Sequence, residues 1–201
     1  MLSVCHCASS YITQVVKLKP EQPYVNLMIL YVENSSEINR LDETTFNAAI
    51  RHKFNNLNSL PVRRQLEKSF IRAVGISATQ MNSASDFFEV GADYTFEAFM
   101  SKVKESGVEA VVVFNQNSYW RNVNSYTTTN QKGNNITTTE SSPNAGFLCY
   151  LLDVKTGASV WISKTTVNGT PIDGYDSMNN SLTRKVSWAL IKGGYIDKYL
   201  Q

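Results

Sequence analysis

Histidine is scarce in this chain, and this scarcity limits the catalytic sites that the sequence could form. Only His6 and His52 are present in 201 residues. A serine or cysteine nucleophile needs a base within hydrogen-bond reach, yet His6 lies near a terminus and His52 lies on a predicted helix face between arginine and lysine. Asp173 and Asp176 are the only carboxylate pair in a loop-like segment, where a hydrated turn accounts for them. We therefore expect that the protein is not an enzyme.

Cysteine is also rare, and its placement argues against disulfides and metal. Cys5 and Cys7 lie close together, and Cys149 lies in an apolar run that predicts a strand. Three cysteines so arranged do not form a disulfide framework. A zinc site needs four ligands, and the triplet Cys5-His6-Cys7 offers only part of a set, with His52 on a predicted helix. We expect no metal, and we interpret Cys149 as a small buried apolar residue.

Glycine-rich loops and long apolar runs are both missing. The ten glycines are scattered, and neither a Walker A motif nor a dinucleotide fingerprint follows a predicted strand. The sequence therefore implies no cofactor. No run of about 18 apolar residues occurs, so no helix is predicted to span a membrane.

The charge is nearly balanced, which makes nucleic acid an unexpected partner. The chain has 19 basic and 17 acidic residues, for a net charge of +2. A nucleic-acid surface needs a basic face. The densest basic stretch falls at helical spacing, which predicts a solvated helix face. Its members are Arg63, Arg64, Lys68 and Arg72.

The first ten residues are similar to the end of a lipoprotein signal. In such signals a short apolar stretch meets a cysteine that receives lipid, and here residues 1–4 precede Cys5 and Cys7. Val4 stands where a small residue is usual, and the charged and apolar regions of a signal are missing upstream. Two interpretations are open. In one, the natural start lies upstream of Met1, and either Cys5 or Cys7 is lipidated. In the other, the segment is a cytoplasmic N-terminus with two thiols.

Apolar runs and helical stripes then alternate along the chain. An irregular lead-in and tether over residues 1–22 precedes a single domain over residues 23–201. The nearly continuous apolar run at residues 24–32 predicts a central strand. A helix capped by Asp42 follows, and its apolar residues repeat at helical spacing. They are Phe46, Ala49, Ile50 and Phe54.

A second helix is predicted from Pro61 to Gly75, followed by a strand over residues 76–81 and a loop over residues 82–90. The unit at residues 93–114 contains a helix, Gly107 and a strand rich in valine. This order is typical of an α/β crossover. Because such crossovers are right-handed, we expect its strand to lie parallel to the first strand and beside it.

Residues 115–146 differ from the rest of the chain, because twenty of these 32 residues are Asn, Gln, Ser or Thr. Two threonine-rich runs, 126–129 and 136–139, flank Gly133, and this pattern predicts an exposed hairpin that extends from the sheet. Its aromatic residues are a candidate partner interface, although they could instead pack at the base of the hairpin. They are Tyr119, Trp120 and Tyr126.

A second hairpin is predicted over residues 147–154 and 159–167, with a turn at residues 153–157. A last helix, capped near Ser177, ends at Gly193. The predicted fold class is therefore α+β with α/β-like features: one mixed β-sheet with helices packed on it, and an extended polar β-hairpin.

This order of elements resembles the small periplasmic domains of Gram-negative envelope lipoproteins. That group includes curli-secretion lipoproteins, lipoprotein activators of penicillin-binding proteins and several uncharacterised lipoprotein families. The resemblance covers residues 24–196 and rests on residues 105–113, an aliphatic strand after a glycine, and on residues 152–157 leading to Trp161. It implies a similar fold but no catalytic residues, and it supports function only by analogy.

Two functional hypotheses follow. In the first, the domain is a non-catalytic accessory or adaptor that binds another envelope protein. A lipid anchor alone would hold it on the periplasmic face of the outer membrane. If no signal lies upstream, it would be cytoplasmic. In the second, it is an envelope module that binds a small ligand or glycan. The exposed aromatic residues would form a platform, and a concave site is expected beside Tyr119 and Trp120.

Overall fold

A computed structural model describes residues 8–33, 37–53 and 60–197. Its centre is a six-stranded mixed sheet with the strand order β1-β6-β5-β4-β2-β3. The strand β2 pairs in parallel with β3 and β4, and the pairs β4–β5, β5–β6 and β6–β1 are antiparallel. The α+β prediction is therefore confirmed. The strands are β1 (Ser9–Val16), β2 (Asn26–Glu33), β3 (Gln80–Ser83), β4 (Ala110–Thr129), β5 (Asn135–Asp153) and β6 (Ser159–Asn168).

Helices cover both faces of this sheet. They are α1 (Glu43–Thr45), α2 (Leu60–Val74), α3 (Ala84–Phe87), α4 (Phe96–Glu105) and α5 (Gly174–Lys192). Asp42 caps α1 as predicted, because its Oδ1 accepts the Thr45 N–H at 2.8 Å. The chain then continues through a π-helical turn (Phe46–Ile50) and a 3-10 turn (Arg51–Lys53). Phe54, predicted on the same stripe, lies outside the described residues.

The central strand β2 is buried on both faces, which explains its continuous apolar sequence. Alternate residues of β2 belong to two core clusters. The cluster that contains Leu27 and Ile29 packs under α2 and α5, and we call this the α5 side of the sheet. The cluster that contains Met28 and Leu30 packs under α4 and the segment after α1, and we call this the α4 side.

The predicted crossover is confirmed. The helix α4 leads through Gly107, which has a φ of +71°, into β4. The strand β4 lies parallel to β2 and beside it, with Leu27 opposite Ala110 and Tyr31 opposite Phe114. Glycine is favoured at that positive φ because it has no Cβ.

The predicted irregular lead-in is wrong for the part of it that the structure describes. Ser9–Val16 forms β1, the edge strand, which pairs with β6 over eight residues. Residues in β1 are mostly exposed, so its sequence lacks the strong apolar alternation by which strands are recognised.

Four local predictions also need correction. The strand predicted at residues 76–81 is Gln80–Ser83, and the following segment contains the short helix α3. The last helix begins at Gly174, one turn before the predicted cap, because Ser177 Oγ donates to the Gly174 carbonyl inside the first turn. Arg63, predicted on a solvated face, is only 1% exposed. It lies one helical turn before Glu67, which is also completely buried.

Candidate functional site

The most distinctive feature of the fold is a long hairpin that leaves the sheet. The strand β2 ends at Glu33, opposite Gln116, and β6 ends at Asn168, opposite Asn144. Beyond these positions, β4 and β5 pair only with each other among the described residues. We call this part, residues 117–143, the arm. Its β4 strand has 13 residues and so extends about 40 Å.

The pairing within the arm agrees with the prediction. Tyr126 lies opposite Thr138 and Thr128 lies opposite Ile136. The turn is closed by Asn130, whose Oδ1 accepts the backbone N–H groups of Lys132 and Asn134 at 3.0 and 2.9 Å. The predicted polar hairpin is therefore confirmed.

The arm has no core of its own, because every residue from 117 to 139 is exposed. Hydroxyl pairs link its two strands on one face: Ser125 with Thr139 at 2.9 Å and Thr127 with Thr137 at 3.0 Å. A two-stranded hairpin without a hydrophobic face is at best marginally stable in water. Each of these cross-strand pairs stabilises the arm by only about 0.2–1 kcal/mol.

The base of the arm packs against α5 through an aromatic stack. The Tyr119 and Tyr175 rings lie 5.6 Å apart at an interplanar angle of 10°. Arg121 Nε donates to the Tyr119 hydroxyl at 3.0 Å. Partial burial and the contact with Tyr119 raise the pKa of Tyr175 to about 12, so its hydroxyl is protonated at neutral pH. Tyr119 thus positions the arm on the α5 side.

The other two predicted aromatic residues lie on the opposite face of the arm. Successive residues of a strand alternate between faces, so Trp120 and Tyr126 project to the α4 side. Trp120 is 39% exposed and Tyr126 is 45% exposed. The Tyr126 hydroxyl donates to Glu140 Oε1 at 2.7 Å, and this bond raises the pKa of Tyr126. Tyr119 and Trp120 therefore lie on opposite faces of the arm.

Only some of the other residues considered from sequence lie in the described part of the chain. Cys5, Cys7 and His6 lie outside the described residues. Cys149 is fully buried, and burial raises the pKa of its thiol to about 12. Among the described residues, no group of three or more His, Cys, Asp or Glu side chains could hold a metal ion. No helix within the described ranges is long and apolar enough to cross a membrane.

A buried polar cluster, which the sequence did not predict, lies between α2, β3 and α3. Glu67 is completely buried, and its Oε2 accepts hydrogen bonds from the hydroxyls of Ser83 and Ser85, the second at 3.0 Å. Burial raises the pKa of Glu67, against the opposing effects of these two hydroxyls and of Arg63. A carboxylate and an arginine four residues apart on a helix ordinarily form a surface pair, so their spacing did not indicate burial.

Two of the open grooves on the described surface lie away from the arm. The larger, of about 1000 Å³, lies along α5 and is lined by Ser9, Ser10, Arg184 and Trp188 among others. The smaller, of about 670 Å³, lies at the opposite end of the sheet beside Tyr24 and Lys155. In the smaller groove, the Tyr24 hydroxyl donates to Asp153 Oδ2 at 3.1 Å, an internal contact that holds a turn.

No family model and no curated protein matches this chain. Among solved structures, the chain is similar to the PelC dodecamer from Paraburkholderia phytofirmans, with 16% sequence identity and a TM-score of 0.48, over 88% of this chain and 94% of that one. A variant of the same PelC in a second crystal form gives a TM-score of 0.49 at the same identity and coverage. Identity this low carries no information on activity.

Proposed function

We propose that this protein is a non-catalytic accessory module of the bacterial cell envelope that binds another envelope protein through its arm. The single observation that carries the proposal is the arm itself, a polar ribbon that extends about 40 Å from the sheet with both of its edges unpaired among the described residues. The envelope address is supported by the lipoprotein-like residues around Cys5 and Cys7 and by the resemblance of residues 24–196 to envelope lipoproteins.

The energetics of the arm favour a protein partner. A free strand edge presents N–H and C=O groups that pair readily with another strand, and native proteins usually cover or charge such edges. Within the arm, the charged side chains on the two paired strands are Arg121 and Glu140. A partner that adds a strand or covers one face would supply the burial that the hairpin lacks.

A glycan remains the second candidate, and one observation favours it. Trp120 and Tyr126 lie on the same face of one strand, six residues apart, which places them roughly 20 Å from each other. Asparagine and threonine side chains lie between and around them. Exposed aromatic rings spaced along a polar surface can stack on successive sugars.

The first experiment is an in vivo crosslinking pull-down with the full-length protein in its native host. In the arm variant, residues 122–142 are replaced by Asn-Gly, which can close a two-residue turn between Arg121 and Pro143 while it retains the Tyr119 stack. We expect one envelope protein to be recovered with the wild type and lost with this variant. The double variant Trp120→Ser and Tyr126→Ser should weaken recovery at least tenfold if the partner contacts the α4 side.

The matched control is Ile172→Ser, which removes a side chain that is 93% exposed outside the arm. It should leave recovery unchanged. Equal recovery with the wild type and the arm variant would contradict the proposed role of the arm. Recovery of no protein, together with retention of the wild type on immobilised glycan, would support the second candidate instead.

The envelope address has its own test. Metabolic labelling with a palmitate analogue in the native host should label the protein, and either Cys5→Ser or Cys7→Ser should abolish the label while the other substitution leaves it. Cys149→Ser is the control, since a completely buried thiol is inaccessible to lipidation. A wild-type protein that carries no lipid would overturn the proposed anchor without affecting the proposed partner interface.

A further inference from the structure

The edge strand β1 has none of the features that usually keep sheet edges from pairing. Native proteins protect edges with charged side chains, proline, bulges or very short strands. Ser9–Val16 contains no charged residue and no proline, and it pairs with β6 without a register shift over eight residues. The opposite edge, β3, is only four residues long. Among the described residues, β1 is therefore the edge that lacks these protective features.

The exposed side chains of β1 form a row on the α4 side. Tyr11 is 74% exposed and Val15 is 57% exposed. Thr13, which lies between them on the same face, is also exposed. No helix among the described residues covers this face of β1 and β6, where Lys164 is exposed beside Thr13.

We propose that β1 pairs with β1 of a second copy of this chain, antiparallel and centred on Thr13, so that two sheets join across a twofold axis. An antiparallel pair about a twofold axis is self-complementary. With Thr13 opposite Thr13, Tyr11 of each copy lies opposite Val15 of the other. Aromatic–β-branched pairs and Thr–Thr pairs both stabilise antiparallel strands.

The alternative centre on Ile12 is less favourable, because it places Tyr11 opposite Thr13 and Val15 opposite Ser9. On the α4 side, pairing across β1 brings no cations of the two copies close together. The nearest cations on that face, Lys164 of each copy, would be separated by three strand spacings, about 14 Å, which is longer than the screening length of about 8 Å in physiological salt.

A second surface, on the α5 side, would contact the same second copy of the chain. Ser181 Oγ donates to Ser10 Oγ at 3.0 Å, which fixes how α5 lies along β1. Trp188 is seven residues further along α5, a rise of about 10 Å. It is 60% exposed and lines the same groove as Ser9 and Ser10. The second copy would partly cover this indole.

The interface is small, since a strand pair of seven residues and one indole bury less than the roughly 1,200 Å² of stable complexes. We therefore expect a reversible dimer with a dissociation constant on the order of micromolar. Sedimentation velocity should show monomer at low concentration and dimer at high concentration. Thr13→Lys places two charges opposite each other at the axis and should weaken dimerisation at least tenfold, whereas Ile172→Ser should not change it.

Disulfide trapping tests the register. Opposed Cα atoms in an antiparallel pair lie about 4.5–5.5 Å apart, within disulfide range. In full-length protein with Cys5→Ser and Cys7→Ser, we expect Thr13→Cys to form a covalent dimer under mild oxidation. Tyr11→Cys and Val15→Cys should each fail alone, since identical residues would lie about 14 Å apart. A mixture of these two variants should crosslink.

Three results would overturn the proposal: a wild-type monomer at concentrations of several hundred micromolar, a dimer that Thr13→Lys leaves intact, or rapid self-crosslinking of Val15→Cys in place of Thr13→Cys. Circular dichroism of each variant at low concentration shows that it is folded. None of these experiments depends on the arm, so their failure leaves the proposed function intact.

Discussion

Replacing Trp161 by alanine is expected to lower the free energy of unfolding by about 3–5 kcal/mol. The indole is completely buried in the core cluster under α2 and α5. Its Nε1 donates to Gln14 Oε1 at 3.1 Å, which links β6 to β1. Alanine would leave a cavity in a core that is close-packed on both sides of the side chain. Urea unfolding followed by far-UV circular dichroism measures the loss.

Two variants separate the parts of this effect. Trp161→Phe retains most of the apolar contacts and loses the hydrogen bond, so its cost should be about 1–2 kcal/mol. Trp120→Ala removes the same type of side chain from the exposed arm and should cost less than about 1 kcal/mol. A cost below about 1 kcal/mol for Trp161→Ala would contradict its place in the core.

Trp161 also tests the attachment of β1 to the sheet. A double-mutant cycle between Trp161→Phe and Gln14→Ala reports the coupling of β6 to β1, because the indole N–H and the Gln14 carbonyl are bonded only when β1 lies on the sheet. Coupling of about 0.5–1.5 kcal/mol is expected. No coupling would mean that β1 is not held at this register, and the proposed dimer would then lose its basis.

The elements that the sequence predicted correctly share one property. The strands at β2 and at the start of β4 are buried on both faces, so their sequences are continuous apolar runs, and Gly107 marks the start of the crossover. The arm was predicted because threonine pairs and a turn glycine act locally. In each case the signal lies within a few neighbouring residues.

The elements that were missed depend on distant parts of the chain. The strand β1 is stabilised mainly by pairing with β6, which lies about 150 residues later, as in the pair Ser9 with Asn168. Arg63 and Glu67 are buried, and Glu67 accepts hydrogen bonds from Ser83 and Ser85, which follow it by 16 and 18 residues. A charged helical pattern ordinarily predicts solvent exposure, and only the tertiary packing of α2 reverses that.

The candidate site was predicted in part. Its three aromatic residues were identified from sequence, but they were treated as one group. The alternation of side chains along a strand separates Tyr119 from Trp120 and groups Trp120 with Tyr126. The stack of Tyr119 on Tyr175 had no local signal, because the two residues are 56 positions apart and meet only through the packing of α5 on the sheet.

Replacing Glu67 by glutamine is expected to stabilise the protein at pH 8 and to have little effect at pH 4. Burial raises the pKa of Glu67 above the 4.5 of the free side chain, so the fold favours the protonated carboxyl. The stability that this group contributes is complete below the unfolded pKa and is lost as the pH rises through the folded pKa. Glutamine retains the acceptor for Ser83 and Ser85 and does not titrate.

The measurement is the difference in the free energy of unfolding between the two proteins from pH 4 to pH 8. This difference should grow in favour of Glu67→Gln by about 1.4 kcal/mol for each pH unit between the unfolded and the folded pKa, and then remain constant. If the wild type instead gains stability relative to the variant as the pH rises, Glu67 is ionised and stabilised by Arg63, because a buried ion pair lowers the pKa of its acid and reverses the sign.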